Sequence, residues 1–233
     1  MKAVILAAGM GTRFGTLIPK PLTSLKNEKT ILDSQISKLL KIDGLDNVYI
    51  VVGYKKELIM EAHPEGIFVY NEAYAQTNTA KSLLTALEKL DDDVIWLNGD
   101  VYFDAEILNF LRDSETSACL VDTKKCGDEE IKYTLTDDGF INNLSKEVRA
   151  GIGEAVGINL IKQKDLKVFV EELRNVKQKD YFEKALENLT QSGQLKLNAI
   201  NIGDYYCKEI DFEQDLIDVQ KHIGEFNTKN REI

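Results

Sequence analysis

The sequence predicts a doubly wound, Rossmann-like α/β fold: a mostly parallel mixed sheet with helices on both faces. Three observations predict it. The first half alternates short β-rich apolar runs with longer segments of helical period. The second half carries strand-like runs joined by turn chemistry such as Asp137-Asp138-Gly139, which predicts antiparallel additions to that sheet. No linker, repeat or low-complexity stretch divides the 233 residues, 43% of them hydrophobic, so one domain around one sizeable core is expected.

Taken in order, strands are expected at 3–6, 48–52, 67–70 and 94–97. Between them, Ile31, Ile36, Leu39 and Leu40 recur on one helical face, and 55–62 and 80–90 read likewise, Leu83, Leu84 and Leu87 marking the stripe of the last. Beyond Asp100, strands are expected at 117–121, 131–135, 140–144 and 155–161, helices at 165–175 and 181–191, a strand at 195–200 and a closing helix at 212–223. From Asn227 the chain is polar and is expected to fray.

Composition narrows the function classes. A net charge of -10 and a pI near 4.9 argue against nucleic acid or an anionic membrane as partner, since both require a basic surface. The N-terminal apolar run is too short for a signal peptide, and nothing approaches the roughly 20 apolar residues of a membrane span. Cys119, Cys126 and Cys207 are odd in number and scattered, which argues against a disulfide framework or a paired-cysteine zinc site and for a reduced, cytoplasmic protein. His63 and His222 are read as ordinary surface residues.

The strongest local signal follows the first strand: Leu6-Ala7-Ala8-Gly9-Met10-Gly11-Thr12-Arg13, continuing to Pro19-Lys20-Pro21-Leu22. Small residues let backbone N–H groups approach a polyphosphate closely, while Arg13 and Lys20 offset its charge. The segment is not a P-loop, because no Gly-Lys-Ser/Thr ends it, and it fits a dinucleotide fingerprint poorly, because Phe14 replaces the third glycine. A plain strand-to-helix turn is the other reading, but such a turn has no need for two cations or for prolines on both sides of Lys20.

The apolar run Val94-Ile95-Trp96-Leu97-Asn98-Gly99 ends in Asp100, at the carboxyl edge of an internal strand where ligands of open α/β sheets gather. A carboxylate facing polyphosphate calls for a cation between them, so Asp100 is read as a ligand of Mg²⁺, with a simple Gly-Asp turn as the alternative.

At these residues the chain resembles the nucleotidyltransferases that activate sugar phosphates and alcohol phosphates, along essentially its whole length. The short gap from Arg13 to Lys20 and the segment Tyr74-Ala75-Gln76-Thr77-Asn78-Thr79-Ala80-Lys81-Ser82 look most like cytidylyltransferases acting on phosphocholine, inositol phosphate or phosphonates. The resemblance implies the nucleotidyltransferase (GT-A-like) fold, with a nucleotide-binding half over about 1–112 and an acceptor-binding half over about 113–226. It implies Mg²⁺ as cofactor, held by Asp100 and Asp211, although Asp211 also suits the N-cap of the closing helix. Arg13, Lys20 and Asp100 carry the catalysis. Leu6, Ala7, Ala8, Gly9, Met10, Gly11 and Thr12 surround the nucleotide, together with Asn78, Thr79 and Ser82 near the base, unless Asn78 or Thr79 merely caps a helix. Lys146 and Glu154 are the acceptor candidates; the aromatics at 181–182 and 205–206 would cage a quaternary ammonium were the acceptor phosphocholine, and are otherwise read as core.

The reaction implied is attack of an acceptor phosphate on the α-phosphorus of a nucleoside triphosphate, CTP favoured, with release of pyrophosphate. Sugar-1-phosphate uridylyl, thymidylyl or guanylyl transfer, a non-catalytic nucleotide-binding module and a dinucleotide-dependent oxidoreductase are the alternatives. The acceptor and the oligomeric state stay open.

Overall fold

The strand β1 (Lys2–Ala7) is the axis of the molecule: residues 3–7 are buried, as expected of an internal parallel strand covered on both faces. The computed structural model describes all residues except 12–17, 27–28, 125–126, 128–129 and 230–233, and the side chains of 227–229. On one side of β1 run β2 (Asn47–Val52) and β3 (Ile67–Tyr70), on the other β4 (Val94–Asn98), all parallel to it. Beyond β4 the sheet turns mixed, because β9 (Glu154–Ile161) pairs antiparallel with both β4 and β6 (Ala118–Asp122). With β10 (Asn198–Asn201) on the edge, the order is β10-β6-β9-β4-β1-β2-β3, and a hairpin of β7 (Lys132–Leu135) and β8 (Ile141–Ser145) attaches through β9.

The period-2 alternation of β1 sends its side chains into two different cores. Val4 and Leu6 join Trp96 under α3 (Thr79–Leu87), α5 (Gln163–Asn175) and α6 (Phe182–Gln191). Ala3 and Ile5 join Ile95 and Leu97 under α1 (Ile31–Leu39), α2 (Lys56–Ala62) and α4 (Ile107–Arg112). Helices therefore cover both faces, as the sequence predicts. On the first face the Trp96 ring meets Phe169 at 5.4 Å and Phe182 edge-on at 5.6 Å.

Several local expectations need correction. Strand β5 (Val101–Phe103), its antiparallel partner β11 (Cys207–Glu209) and α4 were not anticipated, because elements of three or six residues are too short to display a period. Leu195 and Leu197 are buried but precede β10, which starts at Asn198. The closing helix α7 (Glu213–Lys229) begins after Phe212 and continues past Asn227. The histidines are not ordinary surface residues: His222 stacks on Tyr206 at 4.0 Å and bonds Asp104, and the His63 side chain is 13% exposed. No helix among the described residues is long and apolar enough to cross a membrane.

Close approach at the carboxyl edge demands glycine at 53, where β2 ends. A Cβ there would lie 2.6 Å from both the Ala8 carbonyl oxygen and Tyr74 Cβ, whereas a Cβ at Gly9 meets nothing within 4 Å. Gly53→Ala is expected to lower unfolding free energy in urea by about 1–3 kcal/mol, and Gly9→Ala to leave it unchanged. Equal effects of the two substitutions would refute this account of the edge.

Candidate active site

The parallel strands β1, β2 and β4 all end on one edge, and the chain beyond them is drawn tightly together. Gly99 N–H donates to the Leu6 carbonyl at 3.0 Å, and a Cβ on Gly99 would stand 2.6 Å from that oxygen. Above this edge opens a cleft of about 930 Å³. Of the loop residues the sequence singles out, Leu6, Ala7, Ala8, Gly9 and Gly11 line it. Met10 does not; it is 46% exposed and lies outside the lining, because its side chain is not drawn against the strand edge. Thr12 and Arg13 fall outside the described residues.

Lys20 and the two chosen acids converge. The Lys20 ammonium lies 2.8 Å from Asp100 Oδ2 and 2.6 Å from Asp211 Oδ1, with the lysine residue only 9% exposed. Its stem packs against Gly11, whose φ of +58° is the left-handed value that favours glycine. Burial works against the Lys20 charge, but the Asp100 and Asp211 carboxylates outweigh it and raise its pKa above the usual lysine range. Asp211 does not serve as the helix cap: its side chain takes the ammonium, and the carboxylate of Asp215 instead accepts from the N–H groups of Asp211 and Phe212. Ile210 N–H donates to the Asp100 carbonyl at 3.0 Å, which ties the two acid-bearing segments together.

These carboxylates suit a hard divalent cation. Asp100 Oδ1 is buried without a hydrogen-bond partner among the described residues, an oxygen that calls for one. Among the described residues no group of three or more His, Cys, Asp and Glu side chains is gathered to hold a metal by itself. Two carboxylates fit Mg²⁺ nonetheless, since that ion completes its shell with substrate phosphate and water.

Along the next wall, Asn78, Thr79 and Ser82 all line the cleft at the start of α3. Asn78 caps the helix, its Oδ1 accepting from Thr79 N–H at 2.9 Å while its Nδ2 donates to the Lys179 carbonyl. Thr79 Oγ1 accepts from Phe182 N–H, and Ser82 Oγ from Asn71 Nδ2.

The far end of the cleft holds Lys146 and Glu154. Burial raises the Glu154 pKa; the Lys124 ammonium, 3.7 Å away, opposes this, and Glu130 and Asp122 reinforce it. Of the aromatic pairs expected in the core only Phe182 is fully there, at 1% exposure. Tyr181 opens onto the cleft, 41% exposed, under the Lys146 ammonium at 5.7 Å, because it is the extended N-cap residue ahead of α6 and not part of the helix. Tyr205 is also 41% exposed on the turn into β11, and Tyr206 is half-buried, stacked on His222 of α7.

The sequence reading missed Glu209, Asn98 and Glu183. Asn98 Nδ2 donates to Glu209 Oε1 at 3.0 Å on the cleft floor, beside Gly157, where a Cβ would press on both groups. Glu209 is open to cleft water yet crowded by protein; that crowding, then the charges of Asp100 and Asp211, push its pKa up. A strand period over 207–211 places Glu209 and Asp211 on one face, a signal present in the sequence. Glu183 lies within the cleft lining, 6% exposed, with Oε2 unpartnered. Cys119 and Cys207 are free and buried, and burial pushes both thiols far up, which makes them unreactive.

The sequence profile of the MobA-like NTP transferase domain matches residues 3–155. Among characterised proteins, the chain is 36% identical over 118 residues to the bifunctional protein GlmU of Methanocaldococcus jannaschii, a match covering 48% of this chain and 28% of that protein. The chain thus spans only part of the length of that relative. Among solved structures it resembles the inositol-1-phosphate CTP transferase from T. maritima, with TM-score 0.79, 18% identity and 96% of each chain covered. It also resembles the CTP:phosphocholine cytidylyltransferase LicC from Streptococcus pneumoniae, with TM-score 0.78, 23% identity, and 95% of this chain and 98% of that one covered. At such identities the two structures establish the shared fold.

Glu183 supplies a test of the electrostatics of the cleft wall. Burial pushes its pKa up to about 7, while its own backbone N–H and the Lys146 charge pull the other way. A carboxyl raised in the native state binds its proton more tightly there than in the unfolded chain, so its stabilising contribution is complete below its ordinary pKa and is lost as pH rises to about 7. Glu183→Gln is therefore expected to be more stable than the parent at pH 8, by about 1–3 kcal/mol, with the difference vanishing near pH 4. Urea unfolding across that range checks it, and a pH-independent difference would refute it.

Proposed function

The chain belongs to the family of MobA-like NTP transferase domains, and from that premise we propose that it is a nucleotidyltransferase that passes CMP from CTP to a small phosphorylated alcohol and releases pyrophosphate. The observation that carries this reading is the meeting of Lys20, Asp100 and Asp211 in one cleft at the ends of β1, β4 and β11. Among the described residues the Lys20 ammonium meets these two carboxylates, and a polyphosphate brought up against carboxylates calls for a cation between them. Mg²⁺ held by Asp100 and Asp211 would supply that charge and polarise the phosphoryl group under attack.

The residues of the chain do the rest. The triphosphate lies along the backbone of residues 6–11, where Gly9 and Gly11 allow close approach. The Lys20 ammonium turns to the phosphates and offsets the charge that grows on the leaving pyrophosphate. The wall of Asn78, Thr79 and Ser82 faces the base. Lys146 holds the acceptor phosphate, and Glu154 a polar group at the other end of the acceptor. An oxygen of the acceptor phosphate then forms a bond to the α-phosphorus as the bridging bond to the β-phosphate breaks in line. That oxygen is already ionised near neutral pH, so the reaction needs no protein base, and positioning two anions against each other is the main contribution. The CTP preference is supported by the two structures that share the fold, an inositol-1-phosphate CTP transferase and a CTP:phosphocholine cytidylyltransferase.

The test is a panel of CTP, UTP, GTP and dTTP against phosphorylated alcohols and sugars, read by pyrophosphate release. CTP with a phosphorylated alcohol should turn over fastest, a chelator should stop the reaction, and Asp100→Asn or Lys20→Met should each lower kcat about 10²–10³-fold. Faster turnover of UTP with a sugar 1-phosphate would replace the base and acceptor assigned here. No release from any pair would end the enzyme reading.

A further inference from the structure

We propose that Gln35, in α1, is a positioning residue for the Asp100 carboxylate: its single side-chain amide grips the main chain on both sides of Gly99-Asp100. The inference rests on the reading of Asp100 as the acid that meets the cation in the cleft.

The turn that carries Asp100 has a structural problem. Strand β4 leaves the nine-stranded sheet at Asn98 and β5 enters the two-stranded sheet at Val101, so Gly99-Asp100 bridges two sheets outside the paired register of either, and the buried carbonyls on either side of it call for donors. Gln35 supplies both. Its Nε2 donates to the Asn98 carbonyl at 2.9 Å and to the Val101 carbonyl at 2.8 Å, which uses both amide protons. Because both protons sit on one planar group, they fix the separation of the two carbonyls and hence the span of the turn between them. The opposite amide orientation would set an oxygen against two carbonyl oxygens, so only this one is feasible.

The environment of Gln35 points the same way. The residue is 1% exposed and is not part of the cleft lining, so it does not reach substrate. Its Oε1 is buried without a partner among the described residues, an unfavourable state that packing alone would avoid with an apolar side chain. Its helix is anchored by a capping box, Thr30 with Asp33, so the amide is held from a rigid base. One turn on, the Lys38 ammonium donates to the Phe103 carbonyl at 2.5 Å and extends the grip along β5. Other ties on the turn are the Lys20 ammonium on the Asp100 carboxylate and main-chain bonds from Gly99 N–H to Leu6 and from Ile210 N–H to the Asp100 carbonyl. Gln35 is therefore the point at which the placement of Asp100 can be altered without changing a group that faces the cleft.

The experiment uses the full chain with Gln35→Met, which keeps the length of the side chain and removes both donors, and Gln35→Glu, which keeps its shape and, ionised, cannot donate. Amide exchange is read first, since it is independent of catalysis. The N–H groups of Gly99 and Ile210 should exchange about tenfold faster or more, as expected when local opening becomes easier, while those within β1 stay protected. In steady state, kcat should fall roughly 10- to 100-fold, with the KM for nucleotide little changed and half-saturating Mg²⁺ raised. In an Asp100→Asn background the same substitution should cost nothing further. Unchanged exchange at Gly99, or an equal loss of rate in both backgrounds, would overturn the proposal and leave Gln35 a packing residue. A parent protein that releases no pyrophosphate from any triphosphate would defeat the enzyme reading instead, and the exchange measurement would still decide whether Gln35 holds the turn.

Discussion

A single ammonium shared by two carboxylates is the constraint around which this molecule is organised. Lys20 is separated from Asp100 by 80 residues and from Asp211 by 191, yet contacts both at hydrogen-bond distance. A buried lysine is costly unless it is paired, and one of these acids alone would leave the other carboxylate facing it unscreened. The cluster therefore links the segment after β1, the turn after β4 and the segment after β11 in one electrostatic unit. That unit stands where a bound polyphosphate and its cation would have to be received.

The sheet delivers these groups to one place. Parallel strands end on a common edge, and ligands of such sheets collect there. The edge is made tight by glycines that a larger residue would force apart, at 53 and 99, and by the small sheet of β5 and β11 that brings Asp211 back over Asp100. An antiparallel β9 beside β4 then extends the same edge into a second half, so that the cleft runs from the loop after β1 to Lys146 and Glu154. That far end is built from the start of β9 at Glu154 and from residues such as Tyr181 just before α6.

Charge in this protein works locally. With a formal net charge of -10 it would repel a nucleotide at long range, and its own cleft contains several acids with raised pKa values, Glu154, Glu183 and Glu209 among them. In the proposed reaction, amides at the strand end and a few placed cations would reverse that field at short distance, with the proposed Mg²⁺ as supplement. A different pair of acids, Asp100 and Asp211, raises the pKa of Lys20 in spite of its burial.

The sequence by itself determined the layered α/β architecture, because apolar runs of period two and of period 3.6 are legible over any element of several residues. It also determined the phosphate-loop candidate and the strand-end acid, since both are contiguous with the first and fourth strands. Pairing across long distances was not legible. The meeting of Lys20 with Asp211, the choice of Asp215 over Asp211 as the group that caps α7, and the reach of Gln35 to the Asp100 turn all depend on where separate elements come to rest. Strands β5 and β11 were invisible because three residues do not make a period, and they exist only because each finds the other. Whether Asn78 caps a helix could be settled only by the backbone geometry at that position, which no local pattern encodes. Local chemistry is written residue by residue, but the coupling between residues is created by packing.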